Sequence, residues 1–255
     1  MCRLLAYAGP PVFLDRLLIE PRASLVSQSL AAREAKTVVN GDGCGIGWYG
    51  ERPEPGVYRA ILPAWSDANL VSLCRQIRTP LFVAHVRSAT NCHPFADGRH
   101  LFLHNGQIGG YACLRRQIDG LIPDALYPRR RGTSDSEAIF LSALGRGLAT
   151  DPVGAIAATL GEIEATAART GEVAPIASPQ STPMAKPCGR TWASDGPPPS
   201  LYWRREGEGV VIASEPCDDA ERWTMVAADT VLIIRRDGTI RSQAFRPRLP
   251  DRAAA

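Results

Sequence analysis

Met1-Cys2-Arg3-Leu4-Leu5-Ala6-Tyr7 places a cysteine directly behind the initiator methionine, at the head of an apolar run that stops at Gly9-Pro10-Pro11. The run reads as a short buried strand ended by a turn, which would hold the terminus rigidly. Once Met1 is removed, Cys2 carries a thiol and a free α-amine on adjacent carbons. An unperturbed α-amine titrates at about 7.7 to 8.0, suited to base work near neutral pH. One residue would then supply nucleophile and base together. The competing reading of Cys2 is a small buried hydrophobe. Partners further along the chain have to decide between the two.

Working outward, 255 residues and 27.5 kDa suffice for one sizeable core, so one domain is expected over residues 1–245, followed by a disordered Pro/Arg/Ala-rich tail over 246–255. Hydrophobic residues at 45% and charged residues at 22% are ordinary for a soluble globular protein and exclude a fibrous or disordered chain. A net charge of +3 is too small to argue for a nucleic-acid partner, and the basic run Arg129-Arg130-Arg131 reads as a solvated loop. Seven cysteines, an odd number without a Cys-x-x-Cys pair, suggest neither a zinc knuckle nor a disulfide framework, so reduced thiols in a cytoplasm are expected. His85, His93, His100 and His104 fit no standard zinc spacing and read as core or strand-end histidines. No metal and no cofactor is expected. No stretch approaches about 20 unbroken apolar residues, so no membrane partner is expected either.

The remaining chain mixes strands and helices. Five glycines surround Ile46-Gly47-Trp48-Tyr49, which reads as a turn and a closely packed strand rather than a phosphate loop. Val57–Leu62 alternates as a strand, and Leu70–Ile77 has helical spacing. Two buried strands, Leu81–Arg87 and Leu101–Gly106, each end in polar groups: Arg87 in one, Asn105-Gly106 at a turn in the other. Ser134 with Glu137 has the form of a capping box opening a helix, and Pro152–Ala168 reads as a second helix. Prolines at 175, 179, 183 and 187 break the pattern over 176–190, because central strands do not tolerate them. Arg236-Asp237-Gly238-Thr239 is an expected hairpin turn before Ile240.

Taken together, Met1-Cys2, Asp42-Gly43-Cys44-Gly45-Ile46-Gly47-Trp48-Tyr49, His85-Val86-Arg87, His104-Asn105-Gly106 and Ser134-Asp135-Ser136-Glu137 resemble the class II glutamine amidotransferases, which are N-terminal-nucleophile hydrolases. The likeness is greatest to stand-alone members, which include the γ-glutamyl amidohydrolase of ergothioneine biosynthesis. It implies an α+β fold, a four-layer αββα sandwich of two mainly antiparallel sheets between helical layers. It also implies roles: Cys2 as nucleophile, Asn105 and the Gly106 N–H as oxyanion donors, Arg87 on the substrate α-carboxylate and Asp135 on its α-ammonium. The expected reaction is hydrolysis of the γ-amide of glutamine or a γ-glutamyl compound through a Cys2 thioester.

Two alternatives stand beside it. A glutaminase subunit could pass ammonia to a separate synthase partner, since no synthase segment follows in this chain. A catalytically impaired binding protein is the other, on the grounds of a shortened loop after Arg87 and the disrupted 176–190 hairpin. Cys44 also stands where the family usually carries a large aromatic residue, which would leave space or a repacked contact.

Overall fold

The computed structural model describes residues 3–31, 39, 41–86, 93–170, 176–182, 188–193, 198–235 and 238–249. Its strands are β1 (Arg3–Phe13), β2 (Cys44–Trp48), β3 (Gly56–Ala60), β4 (Arg78–Val86), β5 (Phe95–Asp97), β6 (His100–His104), β7 (Gln107–Ile108), β8 (Ile176–Thr182), β9 (Cys188–Ala193), β10 (Tyr202–Glu206), β11 (Gly209–Ala213), β12 (Thr224–Met225), β13 (Thr230–Ile234) and β14 (Ile240–Ala244). The helices are α1 (Asp15–Leu18), α2 (Leu25–Leu30), α3 (Ala68–Gln76), α4 (Tyr111–Asp119), α5 (Asp135–Gly145) and α6 (Pro152–Thr170). One sheet has the order β12-β10-β11-β1-β4-β2-β3; the second runs β14-β13-β9-β8-β6-β5, with β7 also paired to β8. All described pairings are antiparallel.

Side-chain alternation sorts the core into three interfaces and so defines four layers. Leu5, Tyr7, Ile46 and Phe82 pack with Leu17, Leu25 and Leu70 of the first helical layer. Leu4, Ala6 and Val83 face the other way and meet Leu101, Leu103, Leu232 and Ile234 between the sheets. Phe102 and Val231 pack beneath Ile139, Phe140 and Leu160 of the second helical layer. The αββα sandwich is therefore as expected. Close sheet approach explains the glycines of β2: a Cβ at Gly45 would overlap the His93 carbonyl oxygen, and one at Gly47 would strike Leu101 and Pro94.

Several elements differ from expectation for physical reasons. β1 does not stop at Gly9-Pro10-Pro11 but continues to Phe13, with its register against β4 shifting between Ala8 and Val12. The prolines sit inside that irregularity, where no ladder bond is required of them. The proline-rich 176–190 stretch forms two paired strands, β8 and β9, rather than a disrupted segment. Pro175, Pro183 and Pro187 lie outside the described residues. Pro179, which has no N–H, falls opposite the two-residue gap between β6 and β7. Arg129-Arg130-Arg131 is not uniformly solvated, since Arg130 is buried between Asp119 and Glu137 and Arg129 pairs with Asp97. The chain does not fray at Arg246: the Arg248 N–H donates to the Ala157 carbonyl at 3.1 Å, and Gly161 of α6 admits the close backbone of residues 248 and 249. Residues 250–255 lie outside the described residues. The hairpin before Ile240 is present, with the Arg235 N–H donating to the Thr239 carbonyl and Gly238 at a φ of 76°.

Candidate active site

Asn105 and Gly106 lie between β6 and β7, which pair with β8 in one continuous register: Leu103 with Ser181, His104 with Gln180, Gln107 with Ala177 and Ile108 with Ile176. The chain does not reverse there, so the expected turn is instead a two-residue break along an otherwise straight edge. Leu101 and Leu103 face the first sheet, whereas Phe102 and His104 face α5. By that alternation Asn105 belongs to the inter-sheet side. Asn105 is buried and Gly106 half-buried.

α5 opens directly beside this break. Ser134 caps it, its Oγ accepting from the Glu137 N–H at 3.3 Å. Glu137 turns its carboxylate back onto the N–H groups of Arg131 and Gly132, at 3.0 and 2.7 Å, while Arg130 binds it at 3.0 Å. Arg130 also donates to the Ser134 carbonyl, to Asp119 and to the Tyr111 hydroxyl. Burial raises the Tyr111 hydroxyl pKa well above its ordinary value, so the phenol stays protonated. At the first position of α5, Asp135 Oδ2 accepts from the Ile108 N–H at 2.8 Å, and Oδ1 accepts from the Ser136 N–H at 2.7 Å. The structure thus joins Asp135 to the segment carrying Asn105 and Gly106 through one buried hydrogen bond. Each carboxylate oxygen has two lone pairs, so capacity for a further cation remains.

Cys2 and Arg87 lie outside the described residues. Their chain neighbours Arg3 and Val86 are register partners across β1 and β4, and Cys44 of β2 lies next to Val86 on its other side. Arg3 is buried and its Nε contacts Glu215 Oε2 at 3.0 Å. The Leu4 N–H donates to Ser214 Oγ at 3.1 Å, and Gln28 Nε2 donates to the carbonyls of Ala23 and Pro216 at 2.8 and 3.2 Å. The start of β1 is therefore tied to residues 214 and 215 by an ion pair and a side-chain hydrogen bond, and Gln28 in turn holds the adjoining Pro216 carbonyl. Cys44 fills a buried place against Asp67, whose Oδ2 also accepts from the Tyr58 hydroxyl at 2.7 Å. Burial, and then neighbouring carboxylates, push the Cys74 and Cys217 thiols up to about 12, which removes both as neutral-pH nucleophiles.

Sequence reasoning missed the contact between His104 Nδ1 and Ser136 Oγ, 2.8 Å long and fully buried. Both residues lie inside the quoted motifs, and strand alternation could have turned His104 toward the helices. A cavity of about 840 Å³ is lined by Gly9, Tyr49, Pro80, Arg99 and Arg235. It opens toward the Ala8–Leu81 end of the first sheet, several residues along β1 from Arg3, and none of Asn105, Gly106 and Asp135 lines it. Among the described residues no group of three or more His, Cys, Asp or Glu is placed to hold a metal ion, and no helix is long and apolar enough to cross a membrane.

Residues 1–184, which include all five expected site residues, match the family model described as glutamine amidotransferases class-II. The chain belongs to that family. It is an amidotransferase-type enzyme on the Ntn-hydrolase fold. The gamma-glutamyl-hercynylcysteine sulfoxide hydrolase of Mycolicibacterium smegmatis is 31% identical over 249 residues, covering 94% of this chain and 98% of that protein. The probable glutamine amidotransferase DUG3 of Saccharomyces cerevisiae is 36% identical over 171 residues, 60% of this chain. The match spans 48%, about half, of that relative's length. A solved glutamine aminotransferase class-II domain protein from Silicibacter pomeroyi superposes with a TM-score of 0.79 at 34% identity, over 97% of this chain and all of that one. The glutamine phosphoribosylpyrophosphate amidotransferase of B. subtilis shares the fold, with a TM-score of 0.63 at 14% identity over 97% of this chain and 50% of that chain.

Proposed function

We propose that the protein hydrolyses the γ-amide of a γ-glutamyl compound or of glutamine through a thioester on Cys2, formed after Met1 is removed. The observation that carries the proposal is the bond from the Ile108 N–H to Asp135, which ties the acid proposed for the substrate ammonium to the segment of the proposed Asn105-Gly106 donors. Strand alternation supports it too: Leu4 and Ala6 face the second sheet, the even parity that Cys2 shares in the sequence.

In the proposed reaction, Arg87 grips the α-carboxylate and Asp135 the α-ammonium, so that only a γ-glutamyl group presents its amide to the thiol. The Cys2 sulfur attacks the amide carbon while its proton passes to the α-amine, directly or through water. The Asn105 side-chain amide and the Gly106 N–H receive the developing oxyanion. The protonated α-amine then gives its proton to the leaving nitrogen as the C–N bond breaks. Water cleaves the thioester, releasing glutamate and restoring the thiol. The near full-length match to the mycobacterial sulfoxide hydrolase supports a γ-glutamyl compound over free glutamine as the substrate.

A subunit feeding ammonia to a separate synthase would share every step to the thioester and differ in where the ammonia goes. The impaired-binder reading loses one of its two grounds, because β8 and β9 pair along their length. Two measurements test the proposal. Intact mass should show a chain lighter by one methionine. A glutamine-mimicking electrophile should add once, at Cys2, and not at all to Cys2→Ala. Retained Met1 together with no release of glutamate or ammonia would end it.

A further inference from the structure

We infer that His104 and Ser136 are positioning residues that hold the oxyanion donors in register with the substrate carboxylate. The inference rests on the proposed thioester reaction. Ser136 Oγ donates to Asp135 Oδ1 at 3.2 Å and lies 2.8 Å from His104 Nδ1. A carboxylate offers only lone pairs, so the hydroxyl hydrogen goes to Asp135 and a hydroxyl lone pair receives the His104 Nδ1–H. That direction fixes the ring's tautomer and orientation. His104, Ser136 and Asp135 are each at most 6% exposed, so water does not compete for these bonds.

The chain of bonds closes a loop around the two donors. His104 is bonded covalently to Asn105, and Ile108, two residues past Gly106, donates to Asp135 Oδ2 at 2.8 Å. Asn105 and Gly106 are therefore clamped at both ends to the first turn of α5, by His104–Ser136 before them and by Ile108–Asp135 after them. The ladder to β8 is interrupted at these two residues, so strand pairing alone does not hold them. Donors for a transition-state charge must be in place before the charge develops. The clamp supplies that placement from the helix side, without touching substrate.

Removing the Ser136 hydroxyl leaves Asp135 its bonds from the Ile108 and Ser136 N–H groups, so substrate capture is retained while the donors loosen. In Ser136→Ala, kcat for γ-glutamyl amide hydrolysis should fall about tenfold or more with KM within about twofold of the parent, the pattern of an interaction made in the transition state. Ser136→Thr, which keeps the hydroxyl, should recover most of the loss. Hydrogen–deuterium exchange of the segment 104–110 should rise in Ser136→Ala and stay at the parent level elsewhere. A folded Ser136→Ala with parental kcat, or with a raised KM alone, overturns the inference. If Ser136→Ala does not fold, His104→Asn, which retains a donor near Nδ1, should outperform His104→Leu in kcat, and equal rates overturn it. An inactive parent refutes the proposed function instead, and the clamp is then judged by exchange in 104–110, where no change refutes it.

Discussion

Asn105 shows how one side chain acquires a role from its surroundings. In the sequence, Asn-Gly is a common turn dipeptide; in the fold it is buried, unpaired with β8 and clamped beside Asp135. Asn105→Ala removes one donor that an oxyanion would need. The expected outcome is a loss of about 10²–10³ in kcat, or roughly 3 kcal/mol, with little change in KM, checked by steady-state kinetics on a folded variant. The motifs themselves were legible because each pairs a chemical residue with a glycine or a helix cap at a fixed offset. His104 and Ser136 were not, because their connection joins positions 32 residues apart across a strand–helix interface.

At the scale of elements, α5 is unusual in burying residues all round from Asp135 to Ala143, so its position depends on how its first turn is satisfied. Arg130 does much of this, with Asp119, Glu137, Tyr111 and the Ser134 carbonyl around the guanidinium of a side chain that is 5% exposed. Breaking a buried pair strands its partners. Arg130→Met should lower stability by about 3–5 kcal/mol and Tm by roughly 10 °C, measured by denaturant and thermal unfolding. The run of three arginines read as solvated because composition carries no information about burial. β8 and β9 were misread for a related reason: a proline is excluded only where its missing N–H is needed, and that depends on the neighbouring strand.

For the whole molecule, the two sheets and the first helical layer enclose thiols that no mechanism uses. Cys74 and Cys217 have folded pKa values pushed up to about 12, by burial first and by nearby carboxylates second, from an ordinary 9.0. Their contribution to stability is fully present below the unfolded pKa. Above it the unfolded state releases protons that the folded state retains, so stability falls as pH rises from about 9 toward about 12. Urea midpoints measured across that window should decline. The decline should be shallower in Cys74→Ala and Cys217→Ala, each compared with its own midpoint at pH 7; an unchanged slope in both would contradict the assignment.

The sequence by itself determined the chemistry offered by this chain: a second-position cysteine, an arginine ending one apolar strand, an Asn-Gly pair ending another, and an acid behind a helix cap. These are local patterns, readable because residue type and spacing set capping, alternation and hydrogen-bonding capacity. Only the tertiary structure decided that Asn105-Gly106 is a break in a strand rather than a turn, that Pro179 is accommodated opposite it, and that His104, Ser136, Asp135 and Ile108 close around it. Those outcomes depend on which groups are left without backbone partners after the sheets and helices have packed, and that balance is a property of the assembled layers.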